Sequence, residues 1–206
     1  MNESSLQGQM LTDIFKTRAR RLAETVARLL AKTGITPNWL TIGAFVLNVA
    51  VGAVIAAGHI TLGGALFLVV GSLDMLDGAL ARVTGKATTF GAFLDSTLDR
   101  YSEAVVLLGL LVFYAGRDAP DATVLIYVVL LGSLMVSYTR ARAEGLGLKC
   151  EVGIVPRPER IALLGLGLLV NQVLIVLWIL AILTNVTALQ RILHIWKVTR
   201  KEQVSR

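Results

Sequence analysis

The chain has 206 residues, of which 55% are hydrophobic and only 17% charged, and its mean hydropathy is +0.70. This composition is too apolar for an ordinary soluble domain of this size, so it predicts an integral membrane protein. The formal net charge of +6 does not indicate a nucleic-acid partner, because basic residues that flank apolar helices usually set orientation and contact lipid headgroups.

The first segment, residues 1–32, places apolar side chains near helical spacing among several arginines and lysines. This pattern is typical of an amphipathic helix that lies on an anionic leaflet, and a soluble surface helix is the alternative interpretation. Because the segment is charged throughout, we expect no cleaved signal peptide. The sequence therefore predicts a cytoplasmic interfacial helix over 1–32 and a membrane domain over 33–206.

The membrane domain opens with a long uncharged stretch, since no Asp, Glu, Lys or Arg occurs from Thr33 to Leu73. A crossing needs about 20 apolar residues, so this stretch can hold two. Polar segments with glycine and proline divide the remainder. We predict an all-α fold with six transmembrane helices, over 39–57, 61–82, 90–116, 122–143 and two within 159–196 that divide near Asn171-Gln172. About 38 residues is tight for that last pair.

Orientation follows from the basic residues, which concentrate in cytoplasmic loops close to the spans. In the six-crossing arrangement, Arg117 alone of the 20 basic residues falls in a loop on the other side. We therefore expect a multi-pass protein of the cell (plasma) membrane with both termini in the cytoplasm. The single cysteine, Cys150, cannot form an internal disulfide and suggests no chemistry.

Acidic and small residues recur on one face of each of two neighbouring helices. At about 100° per residue, the first face carries Asp74, Asp77, Gly78 and Ala81, and the second carries Gly91, Asp95 and Asp99. A short turn around Gly85-Lys86 makes the two helices antiparallel, so their carboxylates can converge on the cytoplasmic side. Carboxylate oxygens without His or Cys suit Mg²⁺, Mn²⁺ or Ca²⁺ rather than zinc or copper. The small residues leave room for close helix approach or for a nucleotide.

Two other interpretations of these acids remain open at this point. They could form buried salt bridges with Arg82, Arg100 or Lys86, although four acids exceed the bases on the same faces. They could also line an ion or proton pathway, because intramembrane acids mark transport routes as well.

The spacing of the acids forms a longer pattern. It reads Asp74-x-x-Asp77-Gly78-x-x-Ala81-Arg82, then eight residues, then Gly91-x-x-x-Asp95-x-x-x-Asp99. This pattern closely resembles the signature of the CDP-alcohol phosphotransferase family, with every fixed position occupied. The resemblance implies a six-helix membrane enzyme, often a homodimer, in which a second alcohol attacks the β-phosphorus of a CDP-alcohol and displaces CMP.

The resemblance also implies roles for individual residues. It makes Asp74, Asp77, Asp95 and Asp99 the ligands of Mg²⁺ or Mn²⁺, and Asp99 the general base that takes the acceptor's proton. It makes Asp77, Gly78, Ala81, Arg82 and Gly91 the residues that bind the donor nucleotide.

Three further segments, Phe93–Arg100, Ser137–Gly147 and Pro156–Arg160, resemble the phosphatidylinositol phosphate synthase branch of that family. The likeness implies that CDP-diacylglycerol is the donor and inositol phosphate the acceptor. The acceptor phosphate would be bound by Arg140, Arg157 and Arg191.

One departure from the branch concerns Arg140, since the branch commonly has lysine there. Arginine can still serve, because its planar fork binds phosphate in a bidentate way. The alternatives are that the arginines contact lipid headgroups only, or that the acceptor is glycerol phosphate, which would make the enzyme a phosphatidylglycerol phosphate synthase.

Overall fold

The structure is a computed structural model that describes residues 23–204, apart from the side chains of residues 74, 75 and 201–204. The described residues form seven helices. These are α1 (23–31), α2 (Pro37–Ala56), α3 (Ile60–Thr84), α4 (Thr89–Ala115), α5 (Pro120–Gly145), α6 (Arg157–Leu169) and α7 (Val173–Val204). The all-α prediction is confirmed, and the helices of the membrane domain lie where the sequence predicted them. Most of the predicted interfacial helix, residues 1–22, lies outside the described residues.

Four of the described helices are long and apolar enough to cross a bilayer: α2, α3, α5 and residues Val173–Arg200 of α7. Large apolar side chains on them remain exposed, such as Trp178 and Ile182 at 58% each. Such exposure fits contact with lipid, and the protein is a membrane protein. Helix α6 has 13 residues and therefore spans only about 20 Å, against about 30 Å for the hydrocarbon core.

Within the described residues the chain divides into two compact units. The first comprises 23–47 and Val69–Tyr101, and the second comprises Asn48–Leu68 and 102–204. In the first unit, α1 packs against the last part of α3 through Ala23 and Ala27, which are buried in one cluster with Ala79 and Leu80. The small side chains of α1 permit this close approach.

A short turn joins α3 to α4 within the first unit. Gly85 has φ +66, which glycine adopts without strain, and the Lys86 N–H donates to the Ala81 carbonyl at 3.1 Å, closing the end of α3. The hydroxyl of Thr88 accepts the Gly91 N–H at 2.9 Å and so caps α4. The predicted turn around Gly85-Lys86 is confirmed, and it sets the start of the helix that carries Asp95 and Asp99.

In the second unit, α7 packs against both α5 and α6. Gly132 of α5 lies against Thr184 of α7 with no room for a Cβ atom, and Gly109 of α4 lies against the backbone of Gly52 in the same way. Contacts of this kind are typical of helices in membranes. The break between α6 and α7 falls at Asn171, with φ +56, as predicted.

Candidate active site

A cavity of about 220 Å³ in the first unit brings most of the predicted nucleotide and metal residues together. Six of the residues that line it were predicted as site residues from the sequence: Asp77, Gly78, Ala81, Arg82, Gly91 and Asp95. They come from the end of α3 and the start of α4, which the turn at Gly85 folds side by side. The wall is completed by three sets of residues. The start of α2 adds Pro37, Asn38 and Thr41, the turn adds Lys86, Ala87 and Thr88, and α4 adds Ala92.

Both oxygens of the Asp77 carboxylate are held in place. The Thr41 hydroxyl donates to Oδ2 at 2.8 Å, and the backbone N–H of Gly78 donates to Oδ1 at 2.5 Å. Asp77 is 6% exposed, and Asp95 lies near enough to interact with it electrostatically. Two facing carboxylates repel unless a proton or a cation lies near them.

The donor set fits a hard divalent cation, because Asp77 and Asp95 offer carboxylate oxygens. Asp99 lies one turn beyond Asp95 on α4, half-buried, and is not among the described lining residues of the cavity. The side chain of Asp74 lies outside the described residues. Among the side chains that are described, no group of three or more His, Cys, Asp or Glu is placed to hold a metal ion. The predicted set of four ligands therefore stays a prediction, with two of its members brought together.

The two glycines of the cavity differ in their surroundings. A Cβ atom on Gly78 would meet only Nη1 of Arg82, at 3.4 Å, whereas one on Gly91 would lie 3.0 Å from both Asn38 Oδ1 and Thr88 Oγ1. Gly78 therefore leaves open space, and Gly91 permits α4 to approach the start of α2. Both features agree with a nucleotide lying against backbone here.

Sequence reasoning missed four polar lining residues: Asn38, Thr41, Lys86 and Thr88. The sequence indicated Lys86 only as a turn residue and a possible salt-bridge partner. The signal that could have found the first two is their place in the first turns of α2, directly after Pro37. Lys86 adds a positive charge to the same wall as Arg82, which suits a pyrophosphate.

The three predicted acceptor arginines lie on three helices of the second unit. Arg140 of α5 is exposed and bonds Glu144 through Nε at 2.8 Å. Arg191 of α7 is 4% exposed and donates from Nε to the Val152 carbonyl at 2.9 Å and from Nη1 to the Val136 carbonyl. Arg157 is the first residue of α6.

Arg140 and Arg191 share one basic neighbourhood with Arg160 of α6, because Arg191 interacts electrostatically with both of the others. Arg191 also orders the loop before α6, since it binds the carbonyl of Val152. The sequence did not predict these contacts with backbone carbonyls. They give Arg191 a structural role in addition to its predicted role in binding the acceptor phosphate.

A buried ion pair in the second unit was also missed. Arg160 donates from Nε to Glu103 Oε1 at 2.9 Å and from Nη2 to Oε2 at 2.8 Å. The two residues are 2% and 6% exposed. Their separation of 57 residues leaves no local signal in the sequence, so only the three-dimensional structure reveals the pair.

The chain is similar to known proteins over most of its length. The family model for CDP-alcohol phosphatidyltransferase matches residues 34–199. The archaetidylinositol phosphate synthase of Pyrococcus horikoshii is 40% identical over 184 residues, covering 89% of this chain and 95% of that protein. The phosphatidylinositol phosphate synthase of Mycolicibacterium smegmatis is 37% identical over 184 residues, covering 84% and 82%.

Solved structures of the phosphatidylinositol phosphate synthase of Mycobacterium tuberculosis are also similar. The structure with CDP-DAG bound superposes with a TM-score of 0.80 at 34% identity, covering 85% of this chain and 94% of that one. The structure in complex with manganese and citrate gives a TM-score of 0.79 at the same identity, covering 84% and 88%.

Proposed function

Because the chain belongs to the CDP-alcohol phosphatidyltransferase family, we propose that it transfers a phosphatidyl group from CDP-diacylglycerol to inositol phosphate and releases CMP. The observation that carries the proposal is the cavity at which Asp77, Gly78, Ala81, Arg82 and Asp95 meet. The names of the archaetidylinositol phosphate and phosphatidylinositol phosphate synthases both include an inositol phosphate headgroup, and this supports inositol phosphate as the acceptor.

The cofactor is Mg²⁺ or Mn²⁺, held by Asp74, Asp77, Asp95 and Asp99. The similar structure with manganese supports this assignment, as does the carboxylate chemistry of the described ligands. When bound, the metal neutralises the pyrophosphate and the leaving phosphate.

The protein's own residues orient the donor and move one proton. Arg82 and Lys86 hold the negatively charged phosphates, while Gly78 and Gly91 let the nucleotide approach the backbone. Asp99 accepts the proton of the acceptor hydroxyl, whose oxygen forms a bond to the β-phosphorus as the bond from that phosphorus to the bridging oxygen breaks. CMP leaves with the α-phosphate.

The acceptor phosphate is bound by the basic neighbourhood of Arg140, Arg157 and Arg191. Arginine suits this task because a guanidinium donates two parallel hydrogen bonds to phosphate. A glycerol phosphate acceptor would use the same charges, so the acceptor has to be separated by experiment.

In the membrane, α4 and α6 complete six crossings with α2, α3, α5 and α7, and residues 1–32 lie on the cytoplasmic surface of the cell membrane. The loops of the described structure support this topology, since 57–59, 116–119 and 170–172 contain one basic residue, Arg117. Both termini and the active site then face the cytoplasm. Helix α6 needs a locally thinner bilayer. The enzyme works as a homodimer of such domains.

A second candidate function differs only in the lipid. The 40% identity to an archaetidylinositol phosphate synthase favours an archaetidyl donor as strongly as the bacterial relatives favour a diacylglycerol one. The predicted nucleotide and acceptor residues serve both.

The decisive experiment measures CMP release by purified protein with Mg²⁺ or Mn²⁺. CDP-diacylglycerol and its archaetidyl counterpart are each offered with inositol phosphate, glycerol phosphate, serine or free inositol. We expect release with inositol phosphate, and the faster donor identifies the lipid. Release with glycerol phosphate alone would overturn the assignment of inositol phosphate as the acceptor. No CMP release with any pair of substrates, together with ion flux in sealed vesicles, would favour an ion transporter over an enzyme.

A further inference from the structure

The buried pair of Glu103 and Arg160 joins α4 to α6 within the second unit. Both oxygens of Glu103 bind Arg160 in a bidentate arrangement, and both residues are almost fully buried. A buried ion pair is weak grounds for stability, because well-packed apolar residues often serve as well or better. The pair contributes a defined geometry instead, since the planar guanidinium and carboxylate groups fix each other's orientation.

The pair fixes the first turn of α6. Helix α6 begins at Arg157, and its N-cap residue, Pro156, makes no side-chain capping bond. The preceding loop is tied to α7, because the Val155 N–H donates to the Thr187 hydroxyl at 3.3 Å. Arg160 ties the same turn to α4 through Glu103. The start of α6 is thus held from two sides.

Arg157 lies in that turn, three residues before Arg160. Residues three apart are neighbours on a helix surface, and the charge of Arg157 also acts on Glu103. The turn that the ion pair holds therefore also positions Arg157.

From this geometry we propose that Glu103 and Arg160 are positioning residues, which hold Arg157 in place for the phosphate of the acceptor. The inference rests on the proposed function, because it assigns the pair to the acceptor side of that reaction. Arg160 itself does not touch the substrate.

Two variants test the pair and one serves as a control. Glu103→Gln keeps the shape and removes the charge, and Arg160→Lys keeps the charge and removes the bidentate geometry. Glu159→Gln changes an exposed acid in the same turn of α6. We expect the first two to raise the KM for inositol phosphate by about 10-fold or more and the KM for the CDP-lipid by less than about twofold. The control should match the wild type.

A binding measurement without turnover separates positioning from general damage. Inorganic phosphate is titrated against the melting temperature of the purified protein, and CMP with Mn²⁺ is titrated in parallel as the donor-side probe. Glu103→Gln and Arg160→Lys should lose most of the phosphate-induced shift and keep the CMP-induced one.

Equal losses for phosphate and CMP, an unchanged KM for inositol phosphate, or unfolding of both variants would make the pair merely structural and overturn the proposal. Failure of the proposed function is recognised separately, because the wild type itself would then show no saturable dependence on inositol phosphate.

Discussion

Thr41 on α2 donates its hydroxyl proton to Oδ2 of Asp77 on α3, over 2.8 Å, and both side chains are buried. The same hydroxyl lies 3.1 Å from the Pro37 carbonyl, but it has one proton and favours the charged acceptor. A side chain that carries no charge therefore fixes the carboxylate that we propose as a metal ligand. Groups that orient a ligand in this way usually matter nearly as much as the ligand.

We expect Thr41→Val to weaken Mn²⁺ binding by about 10- to 100-fold, because the isosteric side chain leaves Asp77 without its hydroxyl partner. Metal affinity is measured by titration of the purified protein with Mn²⁺, followed by electron paramagnetic resonance. Thr41→Ser is the matched control, since it keeps the hydroxyl, and it should bind within a few-fold of the wild type. Equal affinity of all three proteins would show that the hydrogen bond does not orient Asp77.

The helices, and the placing of the acids on one face of each of two helices, could be predicted because both follow from local sequence patterns. Hydropathy located the helices, and Gly85 located the turn. The hydrogen bond from Thr41 to Asp77 and the pair of Glu103 with Arg160 could not be predicted, because each joins residues far apart in the chain and depends on how helices pack. The shortness of α6 follows from the predicted break near Asn171-Gln172, which the structure confirms.

We expect Asp99→Asn to lower kcat by about 10² to 10⁴-fold, because an amide cannot accept the proton of the acceptor hydroxyl at neutral pH. The rate of CMP release at saturating substrates measures this effect. Binding of CMP with Mn²⁺ should persist, since Asp77 and Asp95 remain in the cavity. A variant that keeps its turnover would remove Asp99 from the role of base, and one that also loses CMP binding would make it chiefly a metal ligand.

The contact of α1 with α3 gives a prediction about the start of the described chain. Ala27 and Ala79 are both 0% exposed, and Ala79 lies between Gly78 and Ala81, which are two positions of the family signature. Ala27→Leu should overpack this contact, at a cost of about 1–3 kcal/mol, and should lower donor affinity because the cavity wall shifts.

Thermal unfolding and CMP titration measure the two effects on Ala27→Leu. The matched control is Arg28→Leu, which places the same side chain on the exposed face of α1 and should leave both quantities near their wild-type values. If Ala27→Leu destabilises the protein without changing CMP affinity, α1 supports the fold but not the site.

The two cavity glycines allow two features to be tested separately: the open space at Gly78 and the helix packing at Gly91. Gly78→Ala adds a methyl group that meets only the end of Arg82, and alanine favours the helix by about 0.5–1 kcal/mol. Donor affinity should therefore fall while thermal stability stays level or rises. Gly91→Ala forces a Cβ against Asn38 and Thr88 at 3.0 Å, so it should lower both donor affinity and stability.

Melting curves with and without CMP and Mn²⁺ separate the two glycine variants in one experiment. The contrast is informative because both substitutions add the same single carbon to the same cavity. If Gly78→Ala bound CMP like the wild type, the open face of α3 would not be where the nucleotide lies. The nucleotide would then have to lie in another part of the same cavity, beside Lys86 and Gly91.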